Sequence, residues 1–138
     1  LALMCDIVVA STSATFGFPE VNLGIMPGMG GTQMLTGIVG PKIASEILMT
    51  GRFISAMEAA NLGIVSLLTD NDQLLDKTLE LAEKISAKSV MSTRMIKEAV
   101  RMAQNVGLSS GIKSERQMFR SMFSTSFKQK GIEAFLKK

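Results

Sequence analysis

The sequence has 138 residues, of which 46% are hydrophobic and 20% are charged, and its mean hydropathy is +0.28. This composition is typical of a globular domain with a core, and the excess of apolar residues favours a partner subunit or a missing part of the fold. The lack of histidine and the single cysteine, Cys5, exclude histidine-based triads, histidine metal sites and an internal disulfide. No apolar run is long enough to predict a membrane span.

The net charge of +3 is unevenly distributed along the chain. Residues 1–70 contain two basic and five acidic side chains, whereas residues 71–138 contain thirteen basic and seven acidic ones. A basic half can meet the phosphates of a cofactor or of a nucleic acid. Because its lysines and arginines are interleaved with acids, a solvated helical surface is the favoured interpretation, and nucleic acid is not the expected partner.

The first half of the chain is predicted to contain short strands. DIVVAS at 6–11 predicts a buried strand, and ATFGF at 14–18 predicts a second extended segment that Pro19 ends. The glycines from Gly24 to Gly31 predict a loop, and IVSLL at 64–68 resembles a last buried strand.

Three helices are predicted among these strands. Helical spacing begins at Gly31, directly after the loop. Pro41 occupies the tolerated first turn of the next helix, and Gly51 follows its end. Ser55 and Glu58 have capping-box spacing, which predicts a further helix start.

The second half is predicted to be helical from Asn71 onward, with a last short helix in IEAFLKK at 132–138. The predicted division is therefore a mixed α/β portion at 1–69 and an all-helical region at 70–138. Because LALMCD begins in mid-pattern, we expect the chain to be a fragment cut inside a helix. Three apolar stripes mark the helices: Leu74, Leu75, Thr78, Leu81, Ala82 and Ile85; Met95, Ile96, Ala99, Val100 and Ala103; Met118, Phe119, Met122 and Phe123.

Glu20 is the candidate acid of the sequence. It follows Pro19 inside a run of Phe, Val, Leu and Ile, so partial burial is expected. Burial disfavours the charged form of a carboxyl group, which makes it a usable general acid near neutral pH. The alternative is an acid in a surface turn or one tied to a basic partner.

The glycine loop and the methionines are further candidates. Gly28, Gly30 and Gly31 precede a helix whose unpaired N–H groups can hold an anion, a water or a substrate oxygen, although a tight turn explains the glycines equally well. The loop is neither a P-loop nor a G-x-G-x-x-G motif. The methionines at 91, 95, 102, 118 and 122 are expected in the core or at a subunit interface, and the alternative is an adaptable binding surface.

Two linked motifs, FGFPEVNLGI at 16–25 and PGMGGTQ at 27–33, resemble the enoyl-CoA hydratase/isomerase (crotonase) superfamily, and hydratases most closely. TGRFISAMEA at 50–59 and the terminal GIEAFLKK extend the similarity over nearly the whole chain. Two departures are visible. Met34 stands where a basic residue is frequent, and TSFKQKG at 125–131 replaces the acids that are common in the tail.

The resemblance implies the C-terminal part of a crotonase-type ββα spiral, followed by a helical region that forms trimers or hexamers. It implies that Glu20 exchanges a proton with the α-carbon of an acyl-CoA thioester and that the Gly28 amide positions the added water. It implies that Phe135 and Lys138 contact the nucleotide end of coenzyme A, which belongs to the substrate, so no separate cofactor or metal is expected. A second glutamate and the oxyanion-hole amides would precede Leu1, so the chain alone is expected to be inactive.

The predicted function is hydration of an enoyl-CoA thioester in fatty-acid β-oxidation. The alternatives are an enoyl-CoA delta isomerase of the same superfamily and a non-catalytic crotonase-like module for assembly or RNA binding. The expected compartment is the cytoplasm in a bacterium or the mitochondrial matrix in a eukaryote.

Overall fold

The computed structural model describes residues 1–123 and divides the chain into two units, Leu1–Glu80 and Leu81–Lys138. Within the described residues, no helix has the length and apolar character that crossing a membrane requires. The first unit contains all the observed strands and the buried core.

Four short strands form two separate pairs in the first unit. Strand β1 (Val9–Ser11) pairs in parallel with β4 (Leu67–Thr69), and β2 (Thr15–Gly17) pairs antiparallel with β3 (Phe53–Ser55). The three predicted strands are therefore observed, although β4 begins at Leu67, three residues after the predicted start at Ile64. Strand β3 was not predicted, because three residues between a helix end and a helix cap give no measurable periodicity.

Three helices of the first unit begin at the signals seen in the sequence, and the second of them also ends at one. Helix α1 spans Gly31–Val39, α2 spans Pro41–Thr50, and α3 spans Ala56–Asn61. Pro41 stands in the first turn of α2, and Gly51 ends that helix in the left-handed conformation. At α3 the Ser55 hydroxyl accepts a hydrogen bond from the Glu58 amide at 3.1 Å.

The Glu58 carboxylate does not complete the predicted capping box. It accepts hydrogen bonds from Arg52 at 2.7 and 3.1 Å, and Arg52 also pairs with both carboxylate oxygens of Glu46 at 2.7 and 2.8 Å. The bonds to Glu46 first, and then those to Glu58, raise the pKa of Arg52, and the bonds from Arg52 lower the pKa of Glu46 from its usual 4.5. The bidentate pairs connect α2 and α3 on either side of β3.

The core of the first unit is formed by residues from both strand pairs and all three helices. Leu35 of α1, Ile47 of α2 and Ile54 of β3 are fully buried, and Ala10 and Ala59 pack with them. Burial of each large side chain contributes about 1.5–3 kcal/mol. The two strand pairs and the helices are therefore held by one common cluster.

Helices α4 (Leu74–Ser86), α5 (Val90–Ala103) and α6 (Leu108–Phe123) confirm the helical prediction as far as Phe123. Helices α5 and α6 pack against each other, and the predicted helix at 132–138 lies outside the described residues. Of the methionines at 91, 95, 102, 118 and 122, all but Met91 are half-buried. Other stripe residues are exposed, including Leu75, Ile96 and Phe119.

Candidate active site

Glu20 lies in a short 3-10 helix, Pro19–Leu23, which we call the Glu20 turn. Proline at its first position fixes the backbone angle that the turn requires. Gly24 ends the turn in the left-handed conformation, with φ 72°, and its N–H donates to the Val21 carbonyl at 3.0 Å. The Ile25 N–H donates to the carbonyl of Glu20 itself at 3.3 Å. The backbone on both sides of the acid is therefore fixed locally.

The Glu20 side chain is partly buried, as the sequence predicted, and no basic side chain of residues 1–123 pairs with it. Its Oε2 atom is buried, and no group among residues 1–123 forms a hydrogen bond with it. A buried acceptor without a donor costs about 1–3 kcal/mol. Native proteins rarely keep such an atom, and a catalytic role is one established reason for it. Within residues 1–123, this geometry favours a buried acid over an acid in a surface turn or one tied to a basic partner.

The Glu20 carboxylate faces a cleft with a volume of about 280 Å³. Strand β2 contributes Phe16, strand β3 contributes Ile54, and helix α1 contributes Met34. Leu1 lines the cleft as well. Among residues 1–123, Glu20 is the only charged side chain in the lining. The side chains that line the cleft are therefore apolar apart from one carboxyl group.

The glycine loop forms another wall of the same cleft. Gly30 begins α1 in the left-handed conformation, with φ 81°. A methyl carbon added at Gly31 would lie 3.0 Å from the Phe18 ring and 3.0 Å from the Pro27 ring, so the helix start sits tightly against its neighbours. Gly28 lines the cleft on an open side, where an added methyl carbon would meet nothing within 4 Å.

The structure therefore brings together two of the four predicted site residues. Glu20 and Gly28 line one cleft, whereas Phe135 and Lys138 lie outside the described residues. Within the described residues, no group of three acidic, cysteine or histidine side chains has a geometry that would hold a metal ion.

The apolar wall residues were not identified from the sequence as parts of a site. Phe16 and Ile54 belong to neighbouring antiparallel strands and are paired in register. Predicting that these two side chains are neighbours would have required predicting strand β3 and its pairing with β2. The sequence identified Met34 as a departure from the family pattern, and the structure shows that Met34 lines the cleft.

The chain belongs to the enoyl-CoA hydratase/isomerase family, whose model matches residues 1–138. It is 44% identical over its whole length to the probable enoyl-CoA hydratase of Rhizobium meliloti (strain 1021), and it covers 54% of that protein. It is also 44% identical over its whole length to the 2,3-dehydroadipyl-CoA hydratase of Escherichia coli (strain K12), again covering 54%. The chain thus spans about half the length of these relatives.

Solved structures agree with this assignment and identify the crotonase-type fold. The crystal structure of enoyl-CoA hydratase subunit I from Geobacillus kaustophilus HTA426 superposes with a TM-score of 0.95 at 46% identity. The match covers 98% of this chain and 52% of that one.

Proposed function

We propose that the protein containing this chain is an enoyl-CoA hydratase, in which Glu20 exchanges a proton with the α-carbon of an acyl-CoA thioester. The observation that carries this proposal is the Oε2 atom of Glu20, which is buried in an apolar cleft without a hydrogen-bond partner among residues 1–123. A carboxyl oxygen that makes no competing hydrogen bond within residues 1–123 is available to exchange a proton with a bound substrate.

Water addition to an α,β-unsaturated thioester develops negative charge on the thioester oxygen and requires a proton at the α-carbon. In the proposed mechanism, Glu20 in its protonated form supplies that proton, and the backbone amides of an oxyanion hole stabilise the oxygen. Each such amide is worth about 3–4 kcal/mol in an acyl-transfer site. Apolar walls strengthen these interactions because they exclude water.

A second carboxylate, which would accept the proton that the attacking water loses, would come from the segment that, by family resemblance, precedes Leu1. Leu1 lines the cleft together with Glu20, which supports a second glutamate close by. The Gly28 amide would position the attacking water, and the open space on the Gly28 side of the cleft supports that role. We therefore expect turnover from the full-length protein and none from the 138-residue chain alone.

For the larger architecture, we propose that residues 1–69 correspond to the C-terminal part of the crotonase ββα spiral and residues 70–138 to a helical oligomerisation region. The exposed apolar residues of α4, α5 and α6 support an assembly, for which a trimer or hexamer is proposed. Phe135 and Lys138 are proposed contacts of the nucleotide end of coenzyme A. Coenzyme A is part of the substrate, so no further cofactor is proposed.

Two wider assignments are also proposals. The reaction would serve fatty-acid β-oxidation, and the compartment would be the cytoplasm in a bacterial host or the mitochondrial matrix in a eukaryotic one. The hydratase names of the relatives do not favour the isomerase and the assembly or RNA-binding alternatives.

The test is hydration of crotonyl-CoA by the full-length protein and by two variants. Glu20→Gln keeps the shape of the side chain but removes the transferable proton, so we expect the turnover rate to fall by about 10²–10⁴-fold. Asp72→Asn is the matched control, because Asp72 is exposed and lies outside the cleft. Near-normal turnover by Glu20→Gln would reject the role of Glu20. Conversion of a 3-enoyl-CoA without hydration of crotonyl-CoA would favour the isomerase alternative.

A further inference from the structure

The Glu20 turn rests on residues 50–52, which join α2 to β3 and which we call the α2–β3 corner. Gly51 of this corner is buried, and a methyl carbon added to it would lie 2.7 Å from Cγ1 of Val21 and 3.1 Å from Nδ2 of Asn22. These two residues directly follow Glu20 in the turn, and they do not line the cleft as Glu20 does. The turn therefore presents its acid to the cleft and its next two side chains to the corner.

The α2–β3 corner is closed by four hydrogen bonds from one guanidinium group. Arg52 donates to both carboxylate oxygens of Glu46 on α2 and to both carboxylate oxygens of Glu58 on α3, at 2.7–3.1 Å. Single exposed ion pairs stabilise a protein little, but a network of bidentate pairs fixes the orientation of the groups that it joins. The Thr50 hydroxyl also donates to the Glu46 carbonyl at 2.8 Å. The chain is thus held on both sides of Gly51.

From these contacts, and resting on the proposed hydratase function, we infer that Arg52 is a positioning residue for the Glu20 carboxyl group. Arg52 lies outside the cleft lining. It holds the corner against which the Glu20 turn packs, and the corner determines where Oε2 of Glu20 lies. Proton transfer depends steeply on this placement, because a displacement of about 1 Å can lower a rate by about 100-fold.

The competing interpretation is that Arg52 stabilises the fold without influencing the acid. The two interpretations differ in how they divide the effect between binding and turnover. Ile54 of β3 lines the cleft, and it is held by the pairing of β3 with β2 as well as by the core. Loss of the arginine network should therefore change turnover more than binding of the thioester.

The first test measures hydration of crotonyl-CoA by full-length proteins at a temperature where all of them are folded. For Arg52→Met we expect kcat to fall by about tenfold, which corresponds to a displacement of about 0.5 Å. The Kd of butyryl-CoA, a saturated thioester, should change by less than about twofold. Arg52→Lys should lose less activity, because an ammonium group keeps the charge but cannot form two bidentate pairs.

Lys77→Met is the matched control for the first test. It removes an exposed ion pair of α4, in which Lys77 lies 3.1 Å from Glu80, and it should leave kcat unchanged. A kcat of Arg52→Met equal to that of this control would overturn the inference. A loss confined to the binding of butyryl-CoA would overturn it as well.

The second test determines whether Arg52 acts through Glu20. Addition of Arg52→Met to Glu20→Gln should lower the residual turnover by less than about twofold, because the carboxyl group that depends on the corner is already absent. An equal tenfold loss in both backgrounds would assign the effect to the fold as a whole and contradict the positioning role.

The third test does not require turnover. The Ile25 amide donates to the Glu20 carbonyl at 3.3 Å, so its hydrogen exchange reports on the turn. In Arg52→Met this amide should exchange at least about tenfold faster, whereas the Gly40 amide at the end of α1 should not change. Equal acceleration at both amides would indicate general destabilisation and overturn the inference.

The exchange measurement also separates this inference from the hydratase function. Faster exchange at Ile25 alone, in a protein that does not hydrate crotonyl-CoA, would reject the hydratase function and keep the support of the turn by Arg52. Hydration by the unsubstituted protein, with exchange and kcat unchanged in Arg52→Met, would do the reverse.

Discussion

Replacement of Gly51 by alanine should destabilise the protein more than the same replacement at Gly63, and the difference measures how tightly the Glu20 turn is packed. Both glycines have positive φ, 66° at Gly51 and 79° at Gly63. A methyl carbon added at Gly51 would lie 2.7 Å from Cγ1 of Val21, the residue after Glu20. The nearest atom at Gly63 is 4.0 Å away, on Ile38.

Alanine has two energetic costs at Gly51, the left-handed backbone and overpacking, and only the first of them also applies at Gly63. The left-handed backbone costs an alanine about 1–2 kcal/mol at either position. Overpacking adds about 1–3 kcal/mol at Gly51 alone. Val21 is 38% exposed and can move partly aside, so the additional cost should lie near the lower end of that range. We expect a loss of about 1–2 kcal/mol for Gly63→Ala and of about 2–3 kcal/mol for Gly51→Ala.

The assay is the free energy of unfolding in urea, measured for both variants and the unsubstituted protein. Because Val21 adjoins Glu20, Gly51→Ala should also lower hydration of crotonyl-CoA by the full-length protein at a temperature where both variants are folded. Gly63→Ala should leave that rate unchanged. Equal losses of unfolding free energy in the two variants would refute the packing of the Glu20 turn against the end of α2.

Three further experiments test the core, the arginine network and the energetic cost of burying the Glu20 carboxyl group. Ile54→Ala should lower the unfolding free energy by about 2–5 kcal/mol, because Ile54 is 1% exposed. Phe53→Ala should lower it by much less, because Phe53 is 62% exposed. Similar losses for the two variants in urea denaturation would contradict the assigned core. Arg52 lowers the pKa of Glu46, so Glu46 contributes stability that is present above pH 4.5 and is lost as the pH falls through its lowered value. Unfolding of Arg52→Met, measured at neutral pH and below pH 4.5, should therefore depend less on pH, and an unchanged pH dependence would be evidence against the pair. Glu20→Met should abolish hydration of crotonyl-CoA. It should also raise the unfolding free energy by about 1 kcal/mol, because it removes a buried acceptor that has no partner among residues 1–123. A lower stability in thermal and urea unfolding would mean that Oε2 of Glu20 has a hydrogen-bond partner in the folded protein.

Local signals in the sequence were sufficient for several helix boundaries of the first unit. Pro41, Gly51 and Ser55 act on backbone groups within a few residues of themselves, and each marks a helix end in the structure. The hydrogen-bond partner of the Glu58 carboxylate could not be predicted from such local signals. The side chain turns to Arg52, six residues earlier in the sequence, and a charged guanidinium outcompetes a backbone amide for a carboxylate.

The acid of the site was predictable, and most of its surroundings were not. A carboxylate after proline in an apolar run is visible in one line of sequence, as is the glycine loop that follows. The walls depend on contacts between distant segments, such as Phe16 beside Ile54 in the β2–β3 pair. A three-residue strand carries too few positions for periodicity to reveal such a pair.

The most direct measurement of the central claim is a crystal structure of the full-length protein with butyryl-CoA, a saturated thioester that cannot be hydrated. We expect the α-carbon of the acyl group to lie about 3–3.5 Å from Oε2 of Glu20, the separation of a reactive encounter, with the acyl chain against Phe16 and Met34. A thioester bound away from the cleft, or a Glu20 carboxylate that turns out into bulk solvent in the assembled protein, would contradict the role proposed for this acid.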